Sequence, residues 1–270
     1  MIKIENDEVV GFEAAIRGMR NPMNSWEKSD SSFKDDDGDY HNIMAEDYGL
    51  DSRDHFILGL GDLNLMMNLR NAGTDHRKFM RMITVYLDIT APLYWWKEFD
   101  TYKIGTVANS CSTMHKLAHK EFELDDFSHE HLGVSTRFID EDGNTEPGIM
   151  NLWIESLNKI IDALNVARNY YISESDTNLK KQYWWQMIQL LPSSYNQRRT
   201  VMLNYEVLAN IYKSRRFHKL DEWREFCKWV KTLPVSELIT GNYEDENGMT
   251  YKFMEPISGL ELTTGNYEDE

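Results

Sequence analysis

Between Trp95 and His115 the chain gathers five small hydroxyls (Thr101, Thr106, Ser110, Ser112, Thr113) around Lys103 and Asn109, directly after Trp95-Trp96. Hydroxyls, an amide and an ammonium suit a phosphate or the edge of a nucleobase, and neighbouring aromatics suit a planar ring. A capped helix start behind a core aromatic pair would use the same residue types, and composition does not choose between the two. A second group follows downstream. In a helix spanning about 199–216, Asn204, Leu208, Ile211 and Arg215 share one stripe, which places an amide and a guanidinium on an apolar face. Such groups need partners, either an internal carboxylate such as Glu222 or the phosphate of a ligand. Residues 196–230 carry eight bases, Arg198 and Arg215 among them, against four acids, a basic island in an acidic chain.

Other constellations are weaker. His115 and His119 share a helical face, and His129 and His131 flank Glu130 near Asp125 and Asp126, but solvated surface histidines explain this spacing better than a metal hydrolase, so no metal is expected. Cys111 with His115 at i+4 could make a nucleophile pair, though packing among Ser110 and Ser112 accounts for a small residue there.

The 270 residues hold 29 Lys+Arg against 45 Asp+Glu, a net charge of -16. Two segments account for nearly all of it: 35–54, with eight acids and one base, and 236–270, with nine acids and one base. Without a basic tract the chain is a poor partner for bulk nucleic acid or an anionic membrane. No apolar run approaches the ~20 residues that span a bilayer, and Met1-Ile-Lys-Ile-Glu-Asn-Asp leads into no apolar leader. Two cysteines, Cys111 and Cys227, do not make a disulfide framework. A cytoplasmic protein is expected.

The elements that must position these groups are legible in outline. Glu13 to Arg17 is a helical patch broken at Asn21-Pro22, and 29–54 reads as a solvated loop. Residues 60–71 form an amphipathic helix ended near Gly73, and Ile83–Thr90 is a β-branched strand closed by Pro92. Helices are expected from about 147 to 164, from Asp176 to Pro192, over 199–216, and from Leu220 to near Pro234. Strands first and helices after predict an α+β fold, as one domain over 1–235 with an acidic extension over 236–270. The extension repeats Glu237-Leu-Ile-Thr-Gly-Asn-Tyr-Glu-Asp-Glu246 as Glu261-Leu-Thr-Thr-Gly-Asn-Tyr-Glu-Asp-Glu270, a duplication whose Gly, Asn and acids favour solvated turns.

Over roughly 10–232 the chain resembles the flavin-dependent thymidylate synthases, the ThyX family. That family's signature is Arg-His-Arg, two residues, Ser, one residue, Asn-Glu, one residue, Ser, one residue, Arg-Tyr, after a strand ending in Pro and an aromatic segment. Here, with one inserted residue, Lys103 falls on the second Arg, Thr106 on the first Ser, and Asn109 and Ser112 on the Asn and second Ser. Downstream, Leu191-Pro192, Asn204, Asn210, Arg215 and His218 follow the family's order, and Gly73-Thr74-Asp75-His76 resembles its flavin-contacting turn. The chain departs from the signature at Thr101-Tyr102, Ser110 and Met114, where the family has Arg-His, Glu and Arg. Arg17, Arg20, Arg198 and Arg215 are candidates to replace the lost cations, each charged hydrogen bond being worth ~1.5–3 kcal/mol.

The resemblance implies an antiparallel or mixed sheet packed with a helical second half. It implies reductive methylation of dUMP to dTMP with FAD, NADPH and methylenetetrahydrofolate, in a homotetramer with sites shared between subunits. Ser112 would be the catalytic position; Lys103, Asn109, Asn204, Asn210, His218 and His76 would contact the cofactor; Thr106, Ser112, Thr113, Arg215 and Arg198 would hold the nucleotide. A scaffold of this kind that binds or sequesters a nucleotide-derived ligand, or acts on a different nucleotide, is the alternative.

Overall fold

The computed structural model describes residues 2–33, 56–139, 142–241, 243–244 and 250–251. The acidic segment 35–54 and the second copy of the duplication, 261–270, lie outside the described residues. The chain opens with strand β1 (Lys3–Val10) and helix α1 (Phe12–Arg20), then short strands β2 (Ser32–Phe33) and β3 (Phe56–Ile57), which pair antiparallel. Helix α2 (Leu60–Asn71), strand β4 (Thr84–Pro92), helix α3 (Leu93–Phe99) and strand β5 (Thr106–Ser110) follow. Strands β6 (Val134–Ile139) and β7 (Thr145–Met150) lead into helices α4 (Leu152–Ser173) and α5 (Thr177–Leu190). Strand β8 (Asn196–Asn204) precedes helices α6 (Tyr205–Arg215), α7 (Asp221–Val230) and α8 (Glu237–Thr240), and the pair β9 (Tyr243–Glu244) and β10 (Thr250–Tyr251).

The main sheet is antiparallel and four-stranded, in the order β1-β4-β8-β5, so the architecture is α+β as expected. Strand β4 sits inside it and alternates as the sequence predicts: Val85, Leu87 and Ile89 are buried while the residues between them are more exposed. Two expectations fail locally. The helix expected over 199–216 is strand β8 up to Asn204, because Val201 and Leu203 are buried at period 2 and Thr200-Val201 is β-branched. Asn204 then ends the strand and starts the helix, its Oδ1 accepting from the Val207 N–H at 3.0 Å. The helix expected from 147 starts at Leu152 instead, since 145–150 pairs with 134–139 in a two-stranded ribbon that accommodates Pro147 opposite Arg137.

The chain divides into two compact units, 1–8, 86–202 and 218–226 in one, 9–85, 203–217 and 227–270 in the other. The first holds two cores. Trp95, Trp96 and Phe99 of α3 meet Trp223 and Phe226 of α7 in a buried aromatic cluster, with Trp95 and Trp223 centroids 4.7 Å apart. Trp96 Nε1 donates to the Gln197 carbonyl at 2.9 Å and its ring lies 4.2 Å from the Arg199 guanidinium carbon, which ties α3 to β8. In the other core the α4–α5 hairpin buries Leu157, Ile161, Leu164 and Met187 against Leu117, Phe122 and Phe127. Asp176 caps α5 by accepting from the Asn178 and Leu179 N–H groups, as its sequence position suggests.

The second unit is built from α1, α2, α6 and α8 around Met66, Met80, Leu208, Ile211, Leu238 and Ile239, all at most 1% exposed. Gly11, at φ 98°, is obligatory because a Cβ there would lie 2.1 Å from the Met82 carbonyl oxygen. The first copy of the duplicated element is not a solvated turn throughout: Glu237–Thr240 forms α8, and Arg70 donates to the Leu238 and Ile239 carbonyls at 3.0 and 3.2 Å. Two adjacent apolar side chains outweigh the acidic context.

Candidate functional site

A cleft of about 390 Å³ opens in the first unit where the segment after β5 meets the start of β8. Past Ser110 the chain turns on Ser112, whose Oγ accepts from the His115 N–H at 3.0 Å and the Met114 N–H at 3.3 Å while its carbonyl accepts from Lys116. Two bonds stitch this turn to β8: Cys111 N–H donates to the Arg198 carbonyl at 2.9 Å, and Gln197 Nε2 donates to the Cys111 carbonyl at 2.7 Å. Ser112, Thr113, Lys116 and Lys120 therefore line the same cleft as Thr90, Tyr195 and Arg198.

The cations of this cleft are largely paired with carboxylates. Arg198 is held by Asp88 at 2.7 Å, with Glu5 at 3.8 Å, and Asp88 also accepts from Thr200 at 2.5 Å and Asn6 at 2.9 Å. The Thr200 hydroxyl, the Asn6 amide and the Arg198 guanidinium together hold the Asp88 carboxyl far below the ordinary carboxylate range. Burial pushes the Tyr195 phenol up, so it stays a neutral donor. Lys120 is shared with Asp126 at 2.6 Å, whereas Lys116 is an exposed ammonium at the rim. Two hydroxyls, a phenol and a guanidinium with flanking lysines can bind and orient a phosphate-bearing ligand.

Of the residues singled out from sequence, Cys111, Ser112, Thr113, His119 and Arg198 come together here. Lys103 and Asn109 are exposed, on the loop before β5 and on β5 itself, and the Thr106 Oγ1 is buried without a hydrogen-bond partner. The place of the signature cations is a helix end instead: Thr101 Oγ1 donates to the Glu98 carbonyl at 2.7 Å, and the Tyr102 ring meets Trp223. His218 lies 3.6 Å from Glu98 and accepts from the Leu220 N–H, a local structural role.

In the second unit Asn204 caps α6, Asn210 Oδ1 accepts from Arg77 at 3.2 Å, Arg215 is half-buried near the end of α6, and His76 is exposed in a turn closed on the Gly73 carbonyl. Arg20 does not replace a lost cation. It is buried against Asp62 at 2.7 Å. Glu222, the internal partner considered for Arg215, accepts instead from the Tyr94 hydroxyl.

His131 pairs with Asp221 at 3.2 Å, and among the described residues no three His, Cys, Asp or Glu converge as metal donors. Sequence reasoning missed Lys116, Lys120 and Tyr195. The i, i+4 spacing of the two lysines behind Ser112-Thr113 was the available signal, but their meeting with β8 depends on a tertiary contact.

No described helix is long and apolar enough to cross a membrane. No family model and no curated protein matches the sequence. Solved structures do match. The flavin-dependent thymidylate synthase ThyX from Helicobacter pylori, complexed with FAD and dUMP, is 17% identical over 88% of this chain and 98% of that one, with a TM-score of 0.54. A second structure of ThyX from that organism with FAD and dUMP gives 17%, 89%, 98% and 0.56. A UMP/dUMP methylase, PolB, from Streptomyces cacaoi bound with 5-Br dUMP is 14% identical over 89% of this chain and 95% of its own, at 0.49. At these identities what is shared is the fold, and this chain has an α+β fold like that of the flavin-dependent thymidylate synthases.

Proposed function

We propose that this protein binds a pyrimidine nucleoside monophosphate of the dUMP type, with residues 1–235 as the nucleotide-binding part and 236–270 as an extension. The observation that supports it is the meeting of Ser112, Thr113 and Arg198 with Lys116 and Lys120 around one cleft. Arg198 presents a fork fixed by Asp88 and suited to phosphate oxygens, the hydroxyls of Ser112 and Thr113 donate to the same group, and Tyr195 meets the ring.

The finer reading is reductive methylation of dUMP to dTMP. FAD is its cofactor, held with dUMP in both Helicobacter pylori structures, and NADPH and methylenetetrahydrofolate are its co-substrates. The residues present fit a flavin only in part. Lys103, Asn109 and His76 are exposed, but His218 is engaged with Glu98 and the Leu220 N–H, and the side-chain amide oxygens of Asn204 and Asn210 are already bonded. The same partial fit favours the second reading, a divergent nucleotide binder without the synthase chemistry.

Mass spectrometry of small molecules released from the purified protein, followed by a dUMP-dependent NADPH oxidation assay, separates the two. Released flavin and turnover support the synthase; a pyrimidine nucleotide in a colourless, inactive protein supports the binder; neither flavin nor nucleotide, with no dUMP binding, overturns both. A homo-oligomer, as a tetramer, belongs to the same proposal. The α4–α5 hairpin leaves Trp153, Val166, Tyr170 and Trp185 between 44% and 55% exposed, more apolar surface than a lone chain comfortably keeps. Light scattering that returns a monomer would remove that part.

A further inference from the structure

A second cavity, of about 320 Å³, lies on the other side of the Ser112 turn. Successive residues of the turn divide between the two: Ser112, Thr113 and Lys116 line the first, Met114 and His115 the second. Trp184 of α5 holds the turn from this side, its Nε1 donating to the Met114 carbonyl at 2.9 Å, and its half-buried ring forms part of the wall. Lys180 and Lys181 stand over the cavity from the same helix, Lys180 placing its ammonium 5.1 Å from the centre of the Tyr171 ring.

Among the described residues no carboxylate forms an ion pair with Lys180 or Lys181. Asp176 accepts the Asn178 and Leu179 N–H groups, and Glu174 accepts the Ser175 and Asp176 N–H groups, so both are tied to the backbone. What remains is a recess with two aromatic walls and two ammoniums. An aromatic ring stacks on Trp184 or Tyr171 while an attached anion meets Lys180 and Lys181. The volume suits a molecule of nucleotide size.

We propose that this second cavity is a binding site for a nucleoside monophosphate, separate from the cleft of the proposed function and sharing with it the 112–116 turn. The proposal uses its own residues, and only the assignment of the neighbouring cleft rests on the earlier reading. Equilibrium dialysis of the full chain with labelled dUMP tests it.

The expected result is two equivalents of dUMP per chain, falling to one in Lys180→Ala/Lys181→Ala, while Lys116→Ala weakens the other equivalent. Tryptophan emission should be quenched by dUMP and not by inorganic phosphate, and Trp184→Phe should remove most of the change. A single equivalent that is lost in Lys116→Ala and untouched in Lys180→Ala/Lys181→Ala overturns the second site and keeps the first. A single equivalent with the opposite behaviour overturns the reading of the first cleft and keeps the second. Absence of dUMP binding overturns both.

Discussion

Two aspartates in this molecule carry the same decoration in opposite surroundings. Asp62, in the second unit, accepts from Arg20 at 2.7 Å and from the Ser29 and Ser31 hydroxyls at 2.6 Å each, with its side chain fully buried. Asp88, in the first, accepts from Arg198, Thr200 and Asn6, beside a guanidinium that is 47% exposed. Each is one carboxylate satisfied by one arginine and two small polar groups. Burial separates their uses. Arg20 also donates to the Ser25 and Lys28 carbonyls and is buried away from any ligand, so the Asp62 group is a fastening of the fold. Arg198 keeps an open face on a cleft, so the Asp88 group can hold a cation in place for something else.

The largest effect should come from breaking the buried member. Asp62→Asn leaves Arg20 charged and out of water without its counter-ion, and removing one partner of a buried pair costs about 3–5 kcal/mol. The urea midpoint is expected to fall by a large fraction of the total stability; a midpoint within error of the parent would mean that water reaches Arg20 and that the two aspartates do not differ as described.

The pH dependence follows from the same group. Burial alone would raise the Asp62 carboxyl, but the Ser29 and Ser31 hydroxyls and Arg20 outweigh it and the net shift is downward. A carboxylate lowered in the folded state binds fewer protons there than when unfolded. Its stabilisation is complete above the ordinary value of about 4 and is lost as pH falls through the lowered folded value. Unfolding midpoints measured from pH 7 to pH 2 should drop below about pH 4 in the parent and drop less in Asp62→Asn. A residual slope is expected from Glu206, which burial would raise but which Arg81 and Arg77 lower on balance.

Next in size is the ligand-facing member. Arg198→Ala or Lys116→Ala removes one charged donor from the cleft, which corresponds to roughly a 10- to 100-fold weaker Kd for dUMP. The urea midpoint should stay near that of the parent in both, since both side chains are substantially exposed. Loss of stability without loss of binding would assign Arg198 to the fold, as Arg20 is.

The contrast between the two arginines also marks what the sequence could reveal. The alternation in Ile83–Thr90, the apolar stripe of 60–71 and the Asp176 cap are local patterns, and each predicts its element. Ser112, Thr113 and Arg198 were legible as site candidates because hydroxyls and a basic island stand out in an acidic chain. The fate of Arg20 was not legible. Its partner Asp62 is 42 residues away, and nothing local distinguishes a guanidinium that will be buried from one that will face solvent. Asn204 failed for a related reason: a strand that runs directly into a helix merges two periodicities, and the capping amide reads as a member of the helical stripe.

The smallest effect tests whether Asp88 helps or hinders the cleft. Asp88→Asn keeps an amide oxygen that can accept from Arg198, so the fork stays placed while a negative charge near the anion disappears. Surface pairs of this kind add little to stability, so the urea midpoint should not move measurably. The affinity for dUMP should rise about two- to five-fold at low ionic strength and return to the parent value as salt screens the removed charge. If the affinity falls instead, by as much as in Arg198→Ala and at every salt concentration, Asp88 is needed to position Arg198, and the half-buried aspartate fixes its arginine as firmly as the fully buried one does.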